Sequence, residues 1–175
     1  MPGANPTDFE LLEVVDAQDR VIGTALRGEI HRRRLCHRAV HIFVFNPSGD
    51  VYVQRRSAVK DRHALKLDSS AAGHVDPGES YYDAAVRELR EELSIEGPIE
   101  KVMWIAACPE TDNEHVMLFK TVTEAEPVPN PEEIQWGGFI PLHRLTKMME
   151  NTPDDFVPAF LLLWRGHLRN SASNR

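Results

Sequence analysis

The stretch GHVDPGESYYDAAVRELREELSI, residues 73–95, is the most informative part of the sequence for the fold. Its pattern predicts a helix with a well-defined start and two chemically different faces. Pro77 and Gly78 interrupt regular structure, and the residues after them repeat with the period of a helix. A helix is therefore predicted from Glu79 to Leu93, preceded by a loop that begins near Gly73.

The predicted helix carries an apolar stripe and an acidic stripe. At about 100° per residue, the apolar stripe is formed by Tyr82, Val86, Leu89 and Leu93. The acidic stripe is formed by Glu88, Glu91 and Glu92. Like charges one turn apart cost about 0.2–0.5 kcal/mol per pair, so this face favours a bound cation, and Mg²⁺ or Mn²⁺ prefers oxygen ligands. The alternative is an acidic face that is simply solvated.

The same stretch resembles the signature of the Nudix hydrolases, G-x5-E-x7-R-E-U-x-E-E-x-G-U, in which U is a bulky aliphatic residue. The matching positions are Gly73, Glu79, Arg87, Glu88, Leu89, Glu91, Glu92 and Ile95. Six fixed polar or glycine positions are very improbable by chance, so the motif is specific. One position departs, because Ser94 stands where the signature has glycine. This puts the predicted helix cap in doubt, since left-handed geometry favours glycine there.

The resemblance implies a role for each part of the motif. The three glutamates of the acidic stripe would hold Mg²⁺ or Mn²⁺, one of them acting as base. Arg87 would orient these carboxylates, Glu79 would bond back into the motif, and Gly73 would let its backbone approach the metal. The implied enzyme is a divalent-metal-dependent hydrolase that cleaves a diphosphate linkage in a nucleoside diphosphate derivative or similar small molecule.

Outside the motif, the sequence is similar to the branch of this family that contains isopentenyl diphosphate isomerase and its hydrolase-like relatives. HRAVHIFVFN, VYVQRRSAVK and LDSSAAGHVDPGES follow the order of that branch, over about residues 31–158. The resemblance implies that Arg56 and Lys60 grip a diphosphate, since a guanidinium fork and an ammonium suit phosphate. A solvent-facing basic loop is the alternative.

The isomerases of that branch also have a second metal site of histidines and carboxylates. The residues in similar places here are His31, His37, His74, Asp112 and Glu114. Such ligands suit zinc or another transition metal. The alternative is that these histidines are structural or exposed.

Two departures favour a hydrolase over an isomerase. Ala72 stands where the isomerase has its catalytic cysteine, and alanine cannot move a proton. Asp154 stands where an aromatic ring should stabilise a carbocation. An isomerase with a relocated acid and base, and a non-catalytic Nudix-fold module that binds a nucleotide, remain the alternatives.

The rest of the chain alternates between strand-like and helical segments. Hairpins are predicted in FELLEVVDAQDRVIGTALR and around Asn46–Asp50, strands at Val102–Ala107, His115–Val122 and Trp136–Ile140, and helices at Leu142–Glu150 and Phe156–Leu168. We therefore expect an α/β (α+β) fold, a Nudix-type α/β/α sandwich with a mixed sheet and an N-terminal β-hairpin. The expected organisation is a hairpin extension over residues 1–30, a Nudix domain over 31–170 and a loose tail over 171–175.

The charge composition limits the kinds of partner that the protein can bind. The chain has 27 acidic residues against 20 Lys plus Arg, a formal net charge of −7. We expect no nucleic-acid or membrane partner, because phosphate-rich surfaces repel an acidic protein. Cys36 and Cys108 lack metal-site spacing and are interpreted as free thiols. The expected protein is cytoplasmic, a monomer or homodimer, with a small-molecule diphosphate as its ligand.

The large aromatic residues and a short basic run lead to two further predictions. Trp104, Trp136 and Phe139 could stack on a base or pack in the core, and we assign them to the core, since large aromatic residues are mostly buried. The basic run from His31 to Arg34 is interpreted as a solvated loop.

Overall fold

The computed structural model describes residues 6–173, which form nine strands and four α-helices. The strands are β1 Leu11–Val15, β2 Val21–Leu26, β3 His37–Phe45, β4 Val51–Arg56, β5 Leu67–Asp68, β6 Ala71–His74, β7 Glu100–Ile105, β8 Glu114–Val122 and β9 Ile134–Ile140. The helices are α1 Arg27–Arg33, α2 Tyr81–Leu93, α3 Leu142–Asn151 and α4 Pro158–Ser173.

Seven strands form one mixed sheet. Its main order is β5-β4-β3-β8-β7, with β6 paired to β3 and β9 paired to β4. β3 and β8 run parallel, and the other pairs are antiparallel. β3 and β4 share one registered pair, Phe45 with Val51, and then diverge. Ser70 lies between them, accepting from Val44 N and donating to the Tyr52 carbonyl, so the parted backbones keep their hydrogen bonds.

Helices cover both faces of this sheet, as the alternation along β3 requires. Val40, Ile42 and Val44 pack in a cluster with the buried face of α2, which is formed by Ala84, Ala85, Leu89 and Leu93. The predicted apolar stripe was therefore right for Leu89 and Leu93 and wrong for Tyr82 and Val86, which are exposed. Phe43 and Phe45 face the other way, into a cluster built with α3 and α4. The predicted α/β/α sandwich with a mixed sheet is confirmed.

The N-terminal hairpin forms a separate two-stranded sheet of β1 and β2. It is tied to the rest of the protein by Arg38, which donates to Glu13 and Asp19. Tyr81, the first residue of α2, donates its hydroxyl to Asp19 at 3.2 Å. The hairpin therefore supports the start of the helix that carries the Nudix signature.

Three expected boundaries differ from the structure. The expected domain boundary at residue 30 falls inside α1, and the basic run from His31 belongs to the last turn of that helix rather than to a loop. The tail expected over 171–175 overlaps α4, where the Ser171 hydroxyl donates to the His167 carbonyl. Residues 174–175 lie outside the described part of the chain. No helix within residues 6–173 is long and apolar enough to cross a membrane.

The core assignment was wrong for two tryptophans. Trp104 is 40% exposed and Trp136 is 49% exposed, whereas Phe139 is half-buried against the α2 side of the sheet. Trp104 lies on β7 and Trp136 on β9, and each of these strands has a single neighbour. Side chains of edge strands can remain in contact with solvent.

Ser94 ends α2 in the conformation that the signature reserves for glycine. Its φ is 55°, and its N–H donates to the Arg90 carbonyl at 3.0 Å. We expect Ser94→Gly to raise the free energy of unfolding by about 0.5–1 kcal/mol, because glycine adopts this conformation without a Cβ penalty. Urea unfolding measures the change. Ser94→Ala keeps the strain and should not stabilise the protein, and an equal gain from both variants would contradict the explanation.

Candidate active site

The loop before α2 is organised by hydrogen bonds within the signature. Ser80 caps α2 by accepting from Asp83 N at 3.1 Å. Glu79 accepts from Asp76 N at 3.0 Å, which closes the preceding turn. These contacts set the direction in which the helix leaves the loop.

Arg87 joins this loop to the acidic stripe. Its guanidinium donates twice to Glu79, at 3.0 and 2.9 Å, and to the His74 carbonyl at 2.9 Å. A further bond of 2.7 Å reaches Glu88. Although burial works against it, the hydrogen bond from Arg87 lowers the pKa of Glu79. The arginine therefore holds both the loop and one of the stripe carboxylates in place.

Glu88 lies directly against the backbone of β6. A Cβ added to Gly73 would lie 2.0 Å from Glu88 Oε1, so glycine is needed at this position for the observed carboxylate placement. Burial raises the pKa of Glu88 even though Arg87 pulls in the other direction. A buried carboxylate held against bare backbone is a suitable cation ligand.

Glu92 is the most buried of the three glutamates. It is 4% exposed and accepts from Gln54 Nε2 at 2.8 Å. Burial and the neighbouring Glu88 carboxylate raise the pKa of Glu92 to about 8. Glu91, by contrast, has a side chain that is 51% exposed and lies 3.5 Å from Arg87.

The two basic residues expected to grip a diphosphate line the same cavity as the three glutamates. This cavity has a volume of about 1020 Å³. Arg56 donates to Asp68 at 3.2 Å, and its Nε is buried without a hydrogen-bond partner among residues 6–173. Lys60 is paired with Glu133. Burial and the nearby Arg56 lower the pKa of Lys60.

The three histidines of the expected second metal site also come together. Each of His31, His37 and His74 offers a ring nitrogen, and these nitrogens lie within 4.8 Å of one another. Glu114 lies 3.3 Å from His37 and 3.4 Å from His74. Nε2 of His31 is buried and has no hydrogen-bond partner within the described residues, and Nε2 of His37 is buried 3.3 Å from Glu114 without the geometry of a hydrogen bond. Such buried nitrogens suit a metal.

The pKa values of two histidines in the cluster are shifted in opposite directions. Burial and the neighbouring His74 lower the pKa of His31 to about 4. Burial acts in the same direction on His74, but the carboxylates of Glu10 and Glu114 raise its pKa to about 9.

Asp112 is not brought into the histidine cluster. It accepts from His63 at 2.7 Å and is paired with Arg62. Both partners come from the loop between β4 and β5, which reaches over to the turn at Asp112. The histidines and Glu114 therefore form the compact group, with Asp112 beside it.

Several residues of the site have no signal in the sequence analysis. Glu10 contacts His74 at 3.9 Å, and Glu133 neutralises Lys60. Both come from segments remote in sequence from the signature. Gln54 has a weak signal, because it is a polar residue at the position of β4 that alternates toward α2.

The two positions that depart from the isomerase pattern differ in location. Ala72 lines the cavity and offers no group that transfers a proton. Asp154 is exposed, in a short 3-10 helix outside the cavity lining. Neither residue supplies isomerase chemistry here.

Comparisons with known proteins agree with this geometry. The model of the NUDIX domain matches residues 36–160. A protein of Streptomyces coelicolor named as a Nudix hydrolase is 35% identical over 174 residues, covering 95% of this chain and 96% of the relative. An isopentenyl-diphosphate Delta-isomerase of Photorhabdus laumondii is 32% identical over 164 residues, covering 90% and 92%.

The fold is shared with a solved structure. The crystal structure of DR0079 from Deinococcus radiodurans aligns with a TM-score of 0.72 and 27% identity, covering 81% of this chain and 90% of that one. The predicted family is confirmed by these matches. The chain belongs to the Nudix hydrolase family, in a branch whose members are named both as hydrolases and as isopentenyl-diphosphate isomerases.

Proposed function

We propose that this enzyme hydrolyses a diphosphate linkage in a nucleoside diphosphate derivative or a similar small molecule, using Mg²⁺ or Mn²⁺. The observation that carries the proposal is that carboxylates and partly buried basic side chains share one cavity. Glu88 and Glu92 line it together with Arg56 and Lys60. Carboxylates alone repel a diphosphate, whereas a divalent ion between them would let the polyanion approach the basic residues.

The residues fit such an ion. Glu88, Glu91 and Glu92 would hold it through oxygen atoms, the ligands that Mg²⁺ and Mn²⁺ prefer. The raised pKa values of Glu88 and Glu92 reflect buried carboxylates without a sufficient counter-charge, which a divalent cation supplies. The space beside Gly73 is filled by the Glu88 carboxylate, so the backbone and the ligand are already in contact.

The chain's own residues would orient the reaction. When bound, the divalent ion lowers the pKa of a water molecule and neutralises charge on the diphosphate. One of the three glutamates accepts the proton of the attacking water. Arg87 keeps Glu88 in position, while Arg56 and Lys60 bind phosphate oxygens. Lys60 exchanges its partner Glu133 for the substrate.

We also propose that His31, His37, His74 and Glu114 hold zinc or another transition metal. Three observations support this site: the buried Nε2 of His31 without a partner among the described residues, the close approach of the three ring nitrogens, and the Glu114 carboxylate beside His37 and His74. Elemental analysis of purified protein tests it. About one transition-metal ion per chain is expected, and metal confined to the acidic site would overturn the proposal.

Metal binding should release protons at neutral pH. The metal-free Glu92 has a pKa of about 8 and is mostly protonated at pH 7, whereas a ligating carboxylate must be ionised. The affinity for Mg²⁺ should therefore rise with pH up to about 8. Calorimetry of Mg²⁺ binding in buffers of different ionisation enthalpy counts the protons. Glu92→Gln should reduce the number of protons released, and a proton count that is unchanged in this variant would contradict the assignment.

A screen of diphosphates tests the function. Nucleoside di- and triphosphates, dinucleoside polyphosphates, nucleotide sugars and isopentenyl diphosphate are incubated with Mg²⁺ or Mn²⁺, and the products are identified by mass. We expect phosphate-containing cleavage products from at least one compound. Dimethylallyl diphosphate without phosphate release would instead identify an isomerase, as some relatives are named. Binding without turnover would identify a nucleotide-binding module.

A further inference from the structure

A polar side chain lies on the face of the sheet opposite the acidic stripe. His41 on β3 pairs across the strands with Ala72 on β6, and both residues line the cavity. Side chains in such a pair project to the same face, with Cβ atoms about 5 Å apart. Small apolar residues line the cavity from this side, namely Ala39, Val157 and Ala159. His41 is thus a buried imidazole, 5% exposed, set among small apolar walls.

The surroundings of His41 favour one of its two neutral tautomers. Ser69 Oγ lies 2.7 Å from His41 Nδ1. The same hydroxyl lies 3.3 Å from the Ala71 carbonyl and 3.4 Å from Asp68 Oδ1, and both of these groups only accept. Because either of these acceptors can take the Ser69 hydrogen, the hydroxyl oxygen can accept from the ring, and we assign the shared proton to His41 Nδ1. Asp68, 3.8 Å from that nitrogen, favours the same tautomer. Nε2 then carries a lone pair that is available to a ligand.

This network continues to the basic residues of the site. Asp68 accepts from Arg56 at 3.2 Å, so buried hydrogen bonds link Arg56 to His41 through Asp68 and Ser69. The Nε of Arg56 is buried and has no hydrogen-bond partner in the described part of the chain. Burial lowers the pKa of His41, which keeps the imidazole neutral at pH 7. An acceptor is thereby held at a fixed place relative to the diphosphate-binding arginine.

We propose that His41 is a specificity-determining residue whose Nε2 accepts a hydrogen bond from a hydroxyl or N–H group on the organic part of the diphosphate substrate. This inference rests on the proposed function, and it adds the class of diphosphate that His41 selects. A hydrocarbon group placed against His41 would leave Nε2 without water and without a partner, and sites built around a polar group reject ligands that lack its complement. The site therefore favours a nucleoside or sugar diphosphate over an isoprenyl diphosphate.

The test compares four compounds with Mg²⁺: ADP, UDP, ADP-ribose and isopentenyl diphosphate. Wild type should have its highest kcat/KM on a hydroxyl-bearing compound. His41→Leu should lower that kcat/KM about 10–100-fold, mainly through KM, because a contact to the unreacting part of the substrate is made in the ground state as well. Turnover of isopentenyl diphosphate should change less than about threefold. His41→Gln, which retains an acceptor, should recover part of the loss, and His143→Leu on an exposed face of α3 is the control.

Any of three results would overturn the inference. One is an equal loss on all four compounds, which indicates a general role of His41 in folding or chemistry. The second is a wild-type preference for isopentenyl diphosphate, and the third is an unchanged kcat/KM of His41→Leu on the hydroxyl-bearing compounds. If the wild type turns over none of the four, the wider screen described above decides the proposed function. Calorimetric binding of the four compounds then tests the inference, because the wild type should bind the hydroxyl-bearing compounds more tightly and His41→Leu should lose that preference.

Discussion

Glu92→Gln is expected to lower turnover of the diphosphate substrate by about 10²–10⁴-fold while the protein stays folded. The glutamine has the shape of the protonated carboxyl group, and the pKa of about 8 shows that this neutral form is the one the metal-free fold favours at pH 7. Its amide oxygen can still accept the 2.8 Å hydrogen bond from Gln54. What the variant lacks is the negative charge that holds a divalent ion.

The matched control for this variant is Glu96→Gln, which alters an exposed glutamate just beyond the end of α2. Steady-state turnover and thermal unfolding are measured for both variants. The control should behave like the wild type in both assays. Turnover of Glu92→Gln near the wild-type value, with an intact fold, would refute the role of the acidic stripe.

Gly73→Ala is expected to lower turnover by at least about 100-fold, because misplacing a catalytic group by about 1 Å has an effect of this size. The new methyl group would occupy the position of the Glu88 carboxylate, 2.0 Å from its Oε1. The obstructing atom ends a flexible side chain, so the carboxylate rotates away rather than the strand unfolding. The affinity for Mn²⁺, measured by electron paramagnetic resonance, should fall together with turnover.

Gly23→Ala is the control for this substitution, since a Cβ at Gly23 on β2 meets no atom within 4 Å. It adds the same methyl group at a distance from the cavity and should leave both measurements unchanged. If Gly73→Ala binds Mn²⁺ and turns over substrate as the wild type does, the close contact of Gly73 with Glu88 has no functional role.

Local sequence signals predicted the elements that have strong periodicity. The breakers at Pro77 and Gly78 and the two-faced pattern after them located α2 to within two residues of its observed start. β6 was not predicted, because Ala71–His74 are small or polar residues with little strand preference, and their pairing with β3 is a long-range contact. α1 was missed because the basic run hides its single fully buried apolar residue, Ile30.

The candidate site shows the same division. The acidic stripe and Arg87 lie within two turns of one helix. Their proximity could therefore be predicted from their spacing in the sequence. Glu10, Gln54 and Glu133 reach the site from three other segments, and their contacts depend on how the sheet and loops close. The role of His41 was invisible in the sequence, because it arises from its register with Ala72 and its bond to Ser69.

The net charge of −7 can be related in part to the proposed metal site. Part of it belongs to the glutamates of the signature, which would be neutralised by bound divalent ions. An acidic chain can therefore act on a polyanionic substrate, provided that the metal is present.

Hydrolysis in water enriched in ¹⁸O tests the central claim most directly. The products of the best substrate are analysed by mass spectrometry, with Mg²⁺ and after removal of the metal by a chelator. The account predicts one ¹⁸O atom in a phosphate-containing product for each linkage cleaved, and no cleavage without metal. Conversion of substrate without ¹⁸O incorporation, or cleavage that persists in the chelator, would contradict it.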